Sequence, residues 1–373
     1  MRLGVDIREL ARGRQTGIGR FVRDFIRYAS QAHPEHRFFL YANQHTLLSP
    51  SGANVEVRVV REGLTLWWDQ VVLPRLARAD RVEVLFSPYV KGPLRCPCPL
   101  VITIHDLLFL ILPEGGWRGH LRNLLYKQMA HRVVRRATLV FADSEHSSLD
   151  AQRLLGVAPA LIRVLPLALS QEYEPVCDRA ALEGVWQRYG VRPPYVFYLG
   201  HFRPHKNVQA LLRAFAALEE PLRRRHQLVL GGRPDHWQQD CRHLASQLGI
   251  EAQVCFAGLV GEADMPALYS GAELFVFPSL YEGFGLPPLE AMACGTAVVT
   301  SNRTSLPEVV GEAGVLVDPE DLDGLSGVIG RILGDDAERR RLAAAGLARA
   351  ALFRAPTIYE QQLRLLEELA GDR

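Results

Sequence analysis

Short, nearly continuous apolar runs alternate along the chain with longer stretches whose apolar positions recur every three to four residues. MRLGVDI reads as a strand, and GRFVRDFIRYAS, after it, as an amphipathic helix. RFFLYAN, VEVRVV, VEVLFSP, PLVITIHD and TLVFADS follow as strands. They are rich in Val, Ile, Leu and Phe and alternate little, the pattern of strands buried on both faces of a parallel sheet. Between residues 163 and 194 the pattern loosens through LPLALSQEYEPV and VRPP, and a domain junction is expected there. A second series then starts with the strand YVFYLGH and the helix NVQALLRAFAAL. HQLVLGG, QVCFAG, LFVFPS, AVVTS and GVLVD continue its strands, and HWQQDCRHLASQLG is a further helix. Two successive β/α halves predict an α/β protein of two doubly wound, Rossmann-like domains, 1–172 and 173–355, facing each other across a cleft. Ligands of such sheets bind outside the carboxyl ends of the strands.

Composition narrows the functional classes. A chain of 373 residues exceeds what one core usually organises, which agrees with two domains. A formal net charge of +2 gives no global reason to expect nucleic acid. The cysteines at 96, 98, 177, 241, 255 and 294 lack paired C-x-x-C spacing, so scattered reduced thiols of a cytoplasmic protein are expected rather than a zinc site. The N-terminus has no apolar signal core. The most apolar run, LVITIHDLLFLIL, is interrupted by His105 and Asp106 and is too short to span a bilayer.

Candidate chemistry gathers at the ends of the strands. In SLYEGFGLPPLEAMACG, Gly283 and Gly285 allow a tight turn close to a ligand. Pro287 and Pro288 suit a helix start, whose free N–H groups and dipole attract an anion. Glu290, in that first turn, either reads paired hydroxyls or only complements the dipole, and Glu282 is either a ligand or a loop charge. YLGHFRPHKN ends a strand with His201, Arg203, His205 and Lys206, a diphosphate clamp or a solvated basic loop capped by Asn207. His105 and Asp106 close an otherwise apolar strand, as a satisfied core pair or as groups beside a reacting centre. GRQTGIGR offers Gly17 and Gly19 to a phosphate, a weak signal alone. The DLD of Asp321 and Asp323 matches a metal-binding pattern but follows Pro319 at a helix start, where capping explains it better. Residues 115–142 contain no acidic residue and carry Arg118, Arg122, Lys127, Arg132, Arg135 and Arg136. That is either a solvated face or a surface for anionic lipid.

Taken together these stretches resemble glycosyltransferase family 4, retaining enzymes with the GT-B fold, over nearly the whole chain. The most specific part is the E-x7-E element from Glu282 to Glu290, and the look is that of bacterial polysaccharide mannosyltransferases. The resemblance implies a catalytic set of His105, Lys206 and Glu282. Glu282 would contact the donor hexose near its anomeric carbon. The backbone of Gly283, Phe284, Gly285 and Leu286 would hold the sugar and lead to the phosphates, and Glu290 would bind the ribose. Lys206 would neutralise the diphosphate, with His201, His205 or Arg203 as partner cation. Gly17 would approach the donor phosphate or the acceptor, and His105 would line the acceptor side. Residues 256–260, FAGLV, resemble the region around the base. The helix at 356–373 would pack back on the first domain. The implied partners are a nucleotide sugar, GDP-mannose first, and a glycan or lipid-linked acceptor, with no metal, no cofactor and no nucleic acid. The implied place is the cytoplasm, with peripheral contact to the inner face of a membrane through residues 118–136. UDP-sugar donors, a nucleotide-sugar epimerase and a non-catalytic sugar-nucleotide-binding protein stay open as alternatives.

Overall fold

The computed structural model describes residues 1–10, 17–47, 52–111 and 117–371, without the side chains at 117, 118 and 120–122. The chain divides into two compact units. Unit 1 comprises Met1–Ala168 and Ala355–Arg373, and unit 2 comprises Leu169–Arg354.

Unit 1 is built on seven strands: β1 (Arg2–Asp6), β2 (Arg37–Ala42), β3 (Val55–Val59), β4 (Val84–Ser87), β5 (Leu100–Ile104), β6 (Leu139–Ala142) and β7 (Ile162–Val164). Unit 2 has six: β8 (Tyr195–Leu199), β9 (Gln227–Gly231), β10 (Val254–Gly258), β11 (Leu274–Phe277), β12 (Val298–Ser301) and β13 (Val315–Val317). Every strand pair is parallel, in the orders β3-β2-β1-β4-β5-β6-β7 and β10-β9-β8-β11-β12-β13. The expected strands are therefore present, and their unbroken apolar character has its expected cause. All residues of β4, β5, β6, β8, β9 and β11 are buried, because helices cover both faces.

The helices that matter below are α1 (Gly17–Ala32), α2 (Trp117–Val134), α3 (Val208–Ala216), α4 (His236–Gln247), α5 (Leu286–Ala293), α6 (Leu322–Gly334) and α7 (Ala355–Gly371). α7, the last of them, belongs to unit 1. Its Tyr359 ring packs against Phe21 and Phe25 of α1, with centroids 6.2 and 5.7 Å apart. No helix among the described residues is long and apolar enough to cross a membrane.

Both sheets reverse strand order at one point. In unit 1 the chain steps outward from β1 to β2 on one side and to β4 on the other. In unit 2 it does the same from β8, to β9 and to β11. Loops leaving the carboxyl ends of the two strands that flank such a point diverge and leave a crevice between them. In unit 2 those loops are 200–207, after β8, and 278–285, after β11.

Candidate functional site

The register of β8 on β11, with Leu274 opposite Val196 and Phe275 opposite Phe197, sets the two loops side by side. The short 3-10 turn Pro204–Lys206 then presents Lys206 to the neighbouring loop. Its Nζ donates to Glu282 Oε1 at 2.6 Å, and both side chains are mostly covered, at 15% and 13% exposure. The ammonium also lies 5.4 Å from the centre of the Phe277 ring. Main-chain contacts lock the two loops together. The His205 carbonyl accepts from Leu280 N at 2.7 Å and from Ser279 Oγ at 3.0 Å. A third loop braces Glu282 from behind. Thr304 Oγ1 accepts from Glu282 N at 3.1 Å, and Ser305 Oγ lies 3.0 Å from the Glu282 carbonyl and 2.6 Å from that of Phe284. A carboxylate and an ammonium on such a rigid frame are positioned groups, not swinging surface charges.

Gly285 has φ +124°, and a Cβ there would stand 2.8 Å from Leu306 Cδ2. Both the backbone angle and the space demand glycine. The turn feeds α5, where Pro287 and Pro288 occupy the start. Prolines carry no N–H, so among residues 286–288 Leu286 alone brings an amide to this helix end. Glu290 lies beyond the first turn, contrary to expectation, because α5 begins only at Leu286. Dipole complementation therefore does not explain it. Glu290 is 2% exposed, and its Oε2 accepts from Tyr269 OH at 2.9 Å. A carboxylate kept so deep needs such donors. Burial beside Glu290 pushes the Cys294 thiol up to about 12.

The other cations of the basic loop behave differently from one another. His205 is buried, while His201 and Arg203 are exposed. Desolvation by the surrounding loop, together with Lys206 and Arg203, holds the His201 imidazole below its ordinary value, so it is neutral near pH 7. Asn207 does not cap α3 with its side chain. It adopts a left-handed conformation, and its Nδ2 donates to the Pro319 carbonyl at 2.8 Å instead. Asp321 does cap α6, accepting from Gly324 N at 2.9 Å.

In unit 1, His105 follows β5. Its partner is Asp143, which follows β6, and not the adjacent Asp106. Nδ1 lies 2.6 Å from Asp143 Oδ2, and Nε2 lies 2.9 Å from the Pro88 carbonyl. Asp106 is exposed and accepts from Leu108 N at 3.0 Å. Register is the reason: Ile104 pairs with Ala142, so the residues after them project together from adjacent strands. A carbonyl only accepts, so Nε2 carries a proton. Burial opposes charge on His105, but Asp143 outweighs it and raises the imidazole, while burial also raises the Asp143 carboxyl. The pair is net neutral, and both ring nitrogens of His105 are occupied. Gly17 opens α1 of unit 1, while positions 13–16 of its motif lie outside the described residues.

Sequence reasoning missed Asp143, Tyr269, Thr304 and Ser305. Asp143 had a usable signal, a carboxylate at the end of the strand after that of His105. Tyr269, Thr304 and Ser305 had none, because they act through contacts that sequence spacing does not encode.

Comparison with known proteins bears on this geometry. The family described as Glycosyl transferases group 1 matches residues 188–349, which include Lys206, Glu282 and Glu290. The chain is 38% identical over 255 residues to the O-antigen chain mannosyltransferase B of Escherichia coli, covering 68% of this chain and 66% of that protein. It is 29% identical over 309 residues to the GDP-mannose-dependent alpha-(1-6)-phosphatidylinositol monomannoside mannosyltransferase of Mycolicibacterium smegmatis, covering 78% of each. It is 30% identical over 290 residues to the D-inositol 3-phosphate glycosyltransferase of Corynebacterium jeikeium, covering 74% of this chain and 68% of that protein. The chain spans just under two thirds of the first relative and about a third of several longer ones. Among solved structures, the sucrose-phosphate synthase of Thermosynechococcus elongatus superposes over the whole of both chains with a TM-score of 0.79 at 20% identity, which shows a shared fold.

Proposed function

Because the chain belongs to the group 1 glycosyl transferases and folds as the two Rossmann-like units of the GT-B type, we propose that it transfers mannose from GDP-mannose, with retention, to a glycan or lipid-linked acceptor in polysaccharide or glycolipid assembly. The observation that carries the reading is the Lys206–Glu282 pair at the order reversal of unit 2. One member reads hydroxyls and the other meets a diphosphate, the two halves of a nucleotide sugar. Two of the relatives' names support mannose as the sugar, and one of these names GDP-mannose, while the third names a D-inositol 3-phosphate glycosyltransferase.

The chemistry follows from where charge develops. As the bond between the anomeric carbon and the β-phosphate oxygen breaks, positive charge grows on the hexose and negative charge on the departing diphosphate. The acceptor hydroxyl oxygen bonds to the anomeric carbon, and its proton goes to the departing diphosphate. Lys206 is poised for the growing negative charge, with the amides of Gly283, Phe284, Gly285 and Leu286 beside it. A preorganised cation favours the transition state over the bound ground state, which is what accelerates a reaction. These groups do the work for which other transferases use a metal. Without donor, Lys206 rests on Glu282. With donor, it shares its protons with phosphate, and the Glu282 oxygen so released faces the sugar. Glu290 takes the ribose hydroxyls, with Tyr269 holding its second oxygen. His105, fixed by Asp143 and Pro88, shapes the acceptor side of unit 1 without offering a free ring nitrogen. The enzyme works at the cytoplasmic face of a membrane, held there by the basic region of α2.

The test is thermal stability of the purified protein against GDP, UDP, ADP and their sugar conjugates. A ligand at about 100 times its Kd adds roughly 2.7 kcal/mol to the folded state. A selective shift with GDP and GDP-mannose is expected. A selective UDP response replaces mannose by a UDP-sugar. Recovery of an epimerised nucleotide sugar after incubating the donor without acceptor makes the protein an epimerase, and no thermal response from folded protein overturns the transferase reading.

A further inference from the structure

A second cluster of ligand-type side chains lies at the opposite rim of unit 1. Residues 33–36 link α1 to β2, so they sit at the amino ends of the strands, whereas His105 and Asp143 leave carboxyl ends. His33 and His36 stack there, with ring centroids 5.2 Å apart and planes 13° from parallel. The C-terminal helix α7 meets this turn with two carboxylates. Glu360 Oε1 is 2.9 Å from His33 Nε2, and Glu367 Oε1 is 2.5 Å from His36 Nε2. Glu35 Oε1 stands 3.1 Å from His33 Nδ1. One donor atom from each of His33, His36 and Glu367 lies within 4.8 Å of the other two.

We propose that His33, His36 and Glu367 bind one divalent first-row transition ion, zinc first, which clamps α7 to the turn before β2. Distances come first. The three donor atoms all lie within 4.8 Å of one another, and zinc bonds of roughly 2.0–2.2 Å to imidazole and carboxylate set tetrahedral ligand atoms about 3.3–3.6 Å apart. Small rotations of a His and a Glu reach that spacing, drawing the widest pair together and parting His36 Nε2 from Glu367 Oε1. Charge comes second. The Met1 ammonium lies 3.2 Å from His36 Nδ1, on the side of the ring away from Glu367. Imidazole binds a metal ion in its neutral form. The three carboxylates Glu35, Glu360 and Glu367 exceed the single positive charge of the Met1 ammonium, and a divalent ion offsets the excess. The outer contacts come third. Whichever ring nitrogen of His33 binds the ion, the other keeps a carboxylate, Glu35 or Glu360, which fixes the tautomer as around known zinc sites. Two nitrogens and one oxygen suit zinc, cobalt or nickel rather than magnesium or calcium.

The experiment uses the full chain without a polyhistidine tag, stripped of metal by a chelator. Zinc and cobalt are titrated by calorimetry, and cobalt also by its visible spectrum. One ion per chain is expected, with nitrogen–oxygen bands free of thiolate charge transfer and a higher Tm with zinc than without. Magnesium should do nothing. Glu367→Gln, His33→Asn and His36→Asn should each weaken binding by about tenfold or more. Glu367→Gln keeps the side chain's shape, so it decides the matter if a histidine variant fails to fold. Affinity unchanged in folded Glu367→Gln, thiolate bands from the cysteines, or no binding at all would each overturn the proposal.

Discussion

At the scale of single residues, partners explain more than identities. Lys206 and Glu282 are ordinary surface residue types, yet each is mostly covered and bonded to the other at 2.6 Å. Lys206→Ala should therefore lower turnover about 100-fold or more, by analogy with removal of one preorganised charge-stabilising donor. Near-normal turnover in the folded variant would remove it from that role. Glu290 is the opposite case, a carboxylate 2% exposed beneath Tyr269. Glu290→Ala should weaken binding of free GDP by about tenfold or more, the loss expected for a hydrogen bond to a charged group. An unchanged affinity would contradict the ribose assignment. His105 was legible as a polar residue closing an apolar strand, but its partner was misread. Sequence neighbours such as Asp106 project from opposite sides of an extended chain, whereas register placed Asp143 alongside it.

At the scale of elements, α2 shows how a helix can be half committed. Ala130, Val133 and Val134 are buried against unit 1. Leu124, Leu125 and Tyr126 are half or more exposed, and Lys127, Arg132, Arg135 and Arg136 are also at the surface. Apolar side chains flanked by unopposed cations suit the interface of an anionic bilayer. The protein should sediment with anionic liposomes at low salt and release at high salt. Failure to sediment at low salt would leave a solvated face. Helix boundaries were legible where caps are local. Asp321 caps α6 because its side chain and the Gly324 amide are neighbours in sequence. At Asn207 the boundary was legible but the contact was not, because its side chain leaves its own helix for the distant Pro319 carbonyl.

At the scale of the whole molecule, one architecture serves two units, and the proposed donor-binding groups gather in one of them. The loops after β8 and β11 flank the order reversal of unit 2, and they carry Lys206 and Glu282. With GDP bound, slowed amide exchange should concentrate at residues 200–207 and 279–290, where backbone groups become covered. Protection confined to unit 1 would move the donor there and overturn the assignment.

The sequence by itself determined the α/β class, the two successive parallel sheets and the strand ends that carry the polar residues. Those properties are written in local hydrophobic period and in the residues that stop each strand, so they need no knowledge of what lies opposite. Only the tertiary structure decided which polar residues meet. It joined Lys206 to Glu282, 76 positions on, His105 to Asp143 rather than to Asp106, and the His33–His36 turn to Glu360 and Glu367, more than three hundred positions away. Parallel strand order and register set those meetings, and both depend on how distant strands pack rather than on any one segment's own pattern.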